Sequence, residues 1–513
     1  MKFKWWWYLV PFIILQLPFA FSPMCVWDTA VQEHLYNSKN FDCAKELFFN
    51  SGVPLSYYEM LPLAMLSNFI LYFKLISVVV FCICSFATSM LLEKLNAFNS
   101  LEIYFISVLT FFYPAYALWN HFIMFPYYIS LLAFTLGILS YLRFNQSYQK
   151  AWLLFTLILL IIAFNIQSFL VYHYVLLACF FFFNYQLNTK FSIRVLSFLK
   201  SNWIFIFLPL AYYFTINHFF PKAGFYKEDG YNSISTNLTL IISELAKSMI
   251  NTTLTPANEA LKYFISDLIS SGIYLGIALL LTLLIGRKVQ NELREKFSFK
   301  LFFIALLLAI FTLVPYAMVG KHVSTHGYET RHSLLAHTPL LICIILMFRL
   351  FQDYAKYFTY AFMVFSFFMF LKQQVHWENR YRKFEAIEQQ LEQNEKNIGD
   401  IVFFTEKNHL WQMDEYLRFY ECNMMLKDAF KTEGRLGIND ERKAHNMAQA
   451  EEYINKYLKY KDCLFFNSFS GATQITEIEI EEKKQEDAIL FLNALTVPDK
   501  RTYYSNYLIV TIK

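Results

Sequence analysis

Eleven apolar runs, each about 15–21 residues, dominate the first 372 positions, and about 20 residues suffice to cross a bilayer as a helix. They fall at 5–21, 75–92, 101–119, 122–142, 151–165, 168–186, 201–220, 271–286, 301–319, 333–348 and 355–372. Charge is distributed to match. The last 141 positions, from Gln373, hold 43 Asp, Glu, Lys and Arg residues, whereas the first 372 hold only 41. That front segment carries more apolar surface than one protein core can bury, so its solvent is lipid. This excludes a soluble multidomain enzyme, a disordered chain and a disulfide-knotted secreted domain. Basic residues sit between hydrophobic runs rather than in one patch, so there is no nucleic-acid signature either.

The first run follows Lys2 and Lys4 but ends in Pro23-Met24-Cys25-Val26-Trp27-Asp28, which is no small-residue cleavage site, so it reads as a retained first helix. Ser56–Phe73 is apolar but broken by Glu59, Pro62 and Lys74, which suits a short helix lying along the membrane surface. With the N-terminus cytoplasmic, short inner connections collect most of the Lys and Arg, including Arg287, Lys288, Arg294, Lys296 and Lys300, as the positive-inside rule requires. An odd number of spans then places the tail outside.

The expected fold is a polytopic α-helical membrane protein of about 11 transmembrane helices with a C-terminal extracytoplasmic α/β domain. Residues 1–372 form the transmembrane module, with long outer loops at 23–74, 221–270 and 320–332. Residues 373–398 form an amphipathic connecting helix, and 399–513 a soluble α/β domain. In that domain Ile401–Phe404, Cys463–Phe466, Gln474–Ile480 and Tyr507–Ile512 read as strands, and Glu415–Phe430 as a helix. Cys82, Cys84, Cys179 and Cys343 lie in apolar runs as small hydrophobes, whereas Cys25 with Cys43, and Cys422 with Cys463, are spaced for disulfides if those regions face an oxidising compartment.

Chemistry concentrates in a few places. Asp28 follows the first span closely enough to stay at membrane-surface depth, where a carboxylate can take a proton from an arriving hydroxyl or amine. Capping of the helix it opens is the competing reading, and Glu33 is the next carboxylate on the same loop. The segment from Gly320 to His332 places Lys321, His322, Arg331 and His332 at an interface where positive charge is otherwise discouraged. A point charge and a planar fork together suit a phosphate at headgroup depth. Pairing of Arg331 with Glu329 is the competing reading there. Asn120 and His121, on a tight turn, and the Asn165-Ile166-Gln167 turn can face the same cavity. Asn237 and Asn251 match the glycan-acceptor pattern. No P-loop, dinucleotide fingerprint, H-E-x-x-H or zinc spacing occurs, so no metal or bound cofactor is expected.

A first span, an acidic residue heading a long outer loop with a surface helix, many further spans and a C-terminal outer domain together resemble the GT-C superfamily of integral membrane glycosyltransferases. Within it, the dolichyl-phosphate-mannose protein mannosyltransferases and the lipid A aminoarabinose transferases are the relatives this pattern is similar to. The resemblance implies an Asp base early in the first outer loop, which Asp28 matches, and cations on later outer loops that hold a carrier phosphate, which Lys321 and Arg331 match. It implies an inverting, metal-independent enzyme in a bacterial inner (cytoplasmic) membrane. That enzyme would take a sugar from a polyprenyl-phosphate or diphosphate carrier to a glycan, lipid or protein acceptor, with membrane lipid as its surroundings. The sequence departs from many mannosyltransferases in lacking an acidic pair in the first loop. A transporter or flippase of lipid-linked intermediates, and a non-catalytic envelope assembly protein, are the other two readings. The first predicts an internal repeat, and the second predicts that Asp28 is dispensable.

Overall fold

The structure, a computed structural model, describes residues 5–25, 28–183, 191–223, 227, 233–266, 268–287, 296–324, 327–406, 419–430, 436–439, 475–483, 499–506 and 508–512. Its architecture is that of a helical membrane protein. Among the described residues six helices are long and apolar enough to cross a bilayer, and five shorter apolar helices accompany them. In chain order, α1 is Trp6–Ala20, broken by a π-turn at Phe12–Gln16. Three short helices come next, α2 (Asp28–Asn37), α3 (Phe41–Asn50) and α4 (Pro54–Ala64). The bundle continues with α5 (Phe69–Leu95), α6 (Ser100–Leu109), α7 (Phe125–Ser147), α8 (Lys150–Phe164), α9 (Ser168–Phe183) and α10 (Phe191–Phe219). Then come α11 (Leu238–Thr253), α12 (Thr255–Ser266), α13 (Leu268–Gly286), α14 (Phe299–Met318), α15 (His337–Arg349) and α16 (Ala355–Gln393).

Local chemistry sets several of these ends. Asn99 accepts from the Glu102 amide while the Glu102 carboxylate accepts from the Asn99 amide, a reciprocal cap that starts α6. Asn237 caps α11 in the same one-sided way that Ser298 caps α14. Glu102 also receives two hydrogen bonds from the Arg349 guanidinium, at 2.8 and 2.6 Å, and this buried fork ties the start of α6 to the end of α15.

Three expectations change. The run at 101–119 is helical only to Leu109, and residues 110–121 continue as buried turns and irregular chain. Non-helical backbone at such depth is tolerated only inside protein. Here Thr110 O receives a bond from His337 Nδ1 and Pro114 O one from Gln373 Nε2. The surface segment is also shorter than expected, because α5 begins at Phe69 and takes Lys74 inside it. Finally, 373–398 is no separate connector. No Gly or Pro interrupts 355–393, and α16 runs unbroken for 39 residues, about 58 Å at 1.5 Å per residue.

Beyond the apolar half of α16 lies a four-stranded sheet of order β2-β1-β3-β4, where β1 is Ile401–Glu406, β2 Leu436–Asn439, β3 Ile475–Glu482 and β4 Leu508–Ile512. β1 pairs in parallel with β2 and β3, and β4 closes the edge antiparallel to β3. The alternation of Ile475-Thr-Glu-Ile-Glu-Ile480 buries Thr476, Ile478 and Ile480 on one face, as a half-buried strand requires. The expected strand at Cys463–Phe466 lies outside the described residues. β2 has no counterpart among the expected strands. It lies so close to α17 (Phe419–Phe430) that a Cβ on Gly437 would sit 3.0 Å from the Cys422 Cβ. A short helix, α18 (Lys500–Ser505), supplies Tyr504, whose hydroxyl donates to Asn379 Oδ1 at 2.6 Å.

Arg380 and Glu421 form a fully buried ion pair at 3.0 Å that joins α16 to α17. Removing one partner strands the other charge, which typically costs about 3–5 kcal/mol. Arg380→Ala should therefore lower the thermal midpoint sharply and expose the chain after Gln393 to protease. The double change Arg380→Met with Glu421→Leu should recover most of the loss. Equal melting of Arg380→Ala and the parent protein would show that the pair does not hold the sheet to the helix.

Candidate functional site

The first loop folds back on the bundle and brings Glu33 to α5, α16 and α17. Cys25, five residues beyond the end of α1, carries a free thiol, so it is not joined to Cys43. Its thiol instead hydrogen-bonds Glu33, one and a half turns into α2. Burial pushes the Glu33 carboxyl above its ordinary range, the Cys25 hydrogen bond and Lys74 oppose that rise, and Asp428 of α17 reinforces it. Lys74 is itself buried, donates to the Ser22 carbonyl at 2.7 Å and lies in the electrostatic reach of Glu378 and Glu33. Asp28 is the first residue of α2, and its side chain falls outside the described residues. Thr29 beside it accepts from the Ile123 amide at 3.5 Å, which sets the start of α2 against the turn that carries His121.

That turn closes the irregular segment. Asn120 donates to Gln374 of α16, and His121 packs edge-on against Trp377 with ring centroids 4.8 Å apart. Burial, with Lys74 and Arg380 adding to it, drops the His121 imidazole to about 3, so it is neutral across the physiological range. Every residue from Lys372 to Arg380 is buried, although all but Val375 and Trp377 carry strongly polar side chains. Trp119 Nε1, Gln373 Oε1 and Gln374 Nε2 have no hydrogen-bond partner among the described residues. Buried polar atoms are normally satisfied by protein, water or ligand, so this lining suits a bound hydroxyl or phosphate.

The basic segment forms a second cluster. Because α14, α15 and α16 alternate in direction, residues 319–324 and 327–336 reach the same end of the bundle as the polar half of α16. Gly320, at φ +70°, turns the chain sharply after α14. Three side chains of α11 then fix the backbone and ring at 322–323. Ser248 Oγ accepts from the Val323 amide, Asn251 Nδ2 donates to the Val323 carbonyl at 2.7 Å, and Glu244 meets His322 Nδ1 at 2.6 Å. Burial alone would raise the Glu244 carboxyl, but hydrogen bonds from Lys247 and His322 outweigh it and hold the group below its usual range. Burial and neighbouring Lys321 depress the Lys222 ammonium, so two cations crowd one place. Arg331 lies over the Tyr328 ring at 3.7 Å, with Glu329 at 3.6 Å. His332 stacks on Tyr316 and faces both Glu329 and the His322 carbonyl.

The structure thus gathers Glu33, Asn120 and His121 in one cluster, and Lys321, His322, Arg331 and His332 in another. The irregular segment bridges them. Ala117 N donates to Thr330 Oγ1 at 3.4 Å, Tyr116 feels the Arg331 charge, and His121 lies three residues beyond Leu118 at the other end. The Asn165 turn does not join either cluster, since its amide donates to Ser56 of α4. Sequence reasoning missed Lys74, Gln373, Gln374, Glu378 and Arg380. Their only signal was a polar run entered from a span with no Gly or Pro to stop the helix. Among the described residues no three His, Cys, Asp or Glu side chains gather as metal ligands would. Comparison with family models, with curated proteins and with solved structures finds no match.

Glu33 gives a pH test. A carboxyl that holds its proton more tightly when folded stabilises the fold below the ordinary value of 4.5, and this contribution is lost as pH rises through the raised value. The thermal midpoint of the parent protein, relative to Glu33→Gln, should therefore fall as pH climbs from 4.5 toward neutrality. Parallel profiles of the two proteins would show that Glu33 holds no extra proton in the fold.

Proposed function

We propose that this chain is an integral membrane glycosyltransferase that moves a sugar from a polyprenyl-phosphate or diphosphate carrier to an extracytoplasmic acceptor. One observation supports it above others. The carboxylate-bearing helix α2 meets Ile123, just beyond the buried, non-helical stretch 110–121, and the cation-bearing Arg331 segment meets Ala117 within that stretch, six residues away along the chain. An acid–base group and an anion-holding group so placed meet the needs of transfer from a lipid-borne phosphate.

In this reading Asp28 takes the proton of the acceptor hydroxyl or amine as that atom bonds to the sugar's anomeric carbon. The bond from that carbon to the carrier phosphate oxygen breaks on the opposite face, so configuration inverts. The bonding pair leaves with the phosphate. Lys321 and Arg331, with His322 and His332 beside them, stabilise the charge that develops there, and such preorganised stabilisation is often the largest contribution to rate. Neutral His121 and Asn120 orient the sugar between the two. In this reading all eleven apolar segments cross the membrane, the 101–119 run doing so as the ten-residue helix α6 continued by the irregular chain after it, with the tail and the 320–332 segment outside. A reporter fused after Lys513 should be active only if it requires an extracytoplasmic environment. Activity of a cytoplasmic reporter there would reverse the placement of the site.

Asp28→Asn should abolish transfer and leave carrier binding intact, because Asn keeps the shape but not the proton affinity. General-base catalysis contributes roughly 10²–10⁴-fold. Asn and Asp rank together as helix caps, so a purely structural Asp28 would tolerate the change. In the same purified preparations Lys321→Ala and Arg331→Ala should weaken carrier binding roughly 10- to 150-fold, the loss of a charged hydrogen bond. Full turnover by Asp28→Asn would sink the enzyme reading.

A further inference from the structure

A second polar nest lies away from the site just described, where α4, the α8–α9 turn and α10 meet. Both carboxylate oxygens of Glu59, Oδ1 of Asn165 and the hydroxyl of Tyr212 are buried with no hydrogen-bond partner among the described residues, as is Ser168 Oγ on the same turn. They share one place. Asn165 is 1% exposed and its Nδ2 donates at 2.8 Å to Ser56, one turn before Glu59 on α4. The Glu59 carboxylate acts electrostatically on Tyr212, whose ring lies 6.0 Å from that of Phe164, the residue before Asn165.

Directly inward on the same helices is a small apolar cleft lined by Gly137, Leu160, His173, Leu177 and Phe205, among others. Phe164 separates nest from cleft, with its ring 5.3 Å from that of His173. His173 itself is spent on the Phe205 carbonyl at 3.0 Å, so the cleft offers little polarity. α10 is the least buried of the six long apolar helices, and Glu59 and Tyr212 are themselves only partly buried, so the nest lies near the edge of the bundle rather than at its centre.

We infer that nest and cleft together bind an amphiphile with an uncharged, hydroxyl-bearing headgroup, a neutral glycolipid in chemical class. Its hydroxyls would meet Glu59, Asn165, Ser168 and Tyr212, and its hydrocarbon would run along α10, with no more than a methyl-sized part reaching the cleft. The chemistry of the nest selects this class. Buried polar atoms demand partners, and this nest presents both donors and acceptors. A phosphate would require a cation, and none acts on Glu59 among the described residues. Burial pushes the Glu59 carboxyl up to about 8, so at neutral pH it is protonated and can both donate to and accept from a sugar hydroxyl. The inference does not rest on the transferase reading, since it concerns other residues and requires no transfer.

The test uses the full chain in phosphatidylcholine nanodiscs doped with either glucosyl diacylglycerol or phosphatidylglycerol, with retained lipid counted by native mass spectrometry. The parent protein should retain the glycolipid in preference to phosphatidylglycerol. Glu59→Leu and Tyr212→Phe should each lower retention about tenfold, the effect of one lost hydrogen bond of good geometry, and Glu59→Gln should keep it. Tyr212→Phe removes a single oxygen and decides the matter if Glu59→Leu does not fold. Equal retention in the parent and Tyr212→Phe overturns the proposal, and so does a preference for phosphatidylglycerol. Transfer is not measured, so failure here leaves the Asp28 test untouched, and failure of Asp28 leaves this site standing.

Discussion

The continuity of α16 is the constraint on which the rest of the molecule depends. A single helix of 39 residues passes from an apolar environment, through a stretch of nine buried and mostly polar positions, to the base of a β-sheet. A helix satisfies its own backbone along its length, so the chain can make that passage without exposing amides at the boundary. The side chains then need partners from elsewhere, and they draw in parts remote in sequence. Asn120 comes from the irregular segment, Lys74 from α5, Glu421 from α17 and Asn379's partner Tyr504 from α18. One rod thereby sets the position of the first loop, the irregular segment and the sheet relative to each other.

Hydropathy made the helices legible, because bilayer thickness leaves few solutions for a run of about 20 apolar residues. Alternation made β3 legible, and the β-branched run at its end made β4 legible. What stayed hidden has common physical causes. The stretch 110–121 is as apolar as a span, and nothing in Tyr113-Pro114-Ala115-Tyr116 distinguishes lipid from protein as its surroundings. Lys372–Arg380 carries the composition of a solvated helix, and only the tertiary partners reveal that it is interior. The same difficulty hid the role of Lys74, which local sequence presents as the end of a surface segment and the fold presents as a buried cation.

The candidate residues show a similar division. Interface depth and residue type were enough to single out Glu33, His121 and the 321–332 cations, and the fold does bring them into two neighbouring clusters. Their partners were beyond reach of the sequence. Glu244 lies 78 positions before the His322 ring it pairs with, and Asp428 lies nearly four hundred after Glu33, whose carboxyl it helps to raise. The competing pairing of Arg331 with Glu329 is present in the fold, and with Tyr328 beneath it the guanidinium is held flat rather than left to search. A cation fixed in this way loses little rotamer freedom on meeting an anion.

The contact of α17 with α2 also has a consequence for the order of events during synthesis. Chains emerge N-terminus first, and the membrane helices can insert long before the last hundred residues exist. Glu33 meets Asp428, and Arg380 meets Glu421, only after α17 has been made, long after the apolar helices. Until then the polar half of α16 has no partner for its buried guanidinium, and α2 lacks the helix that covers it. The first loop is thus made early and completed late. An interrupted chain would carry every apolar helix and still present an open, unfinished first loop, a state that cellular quality control can distinguish from the finished protein by its exposed charge alone.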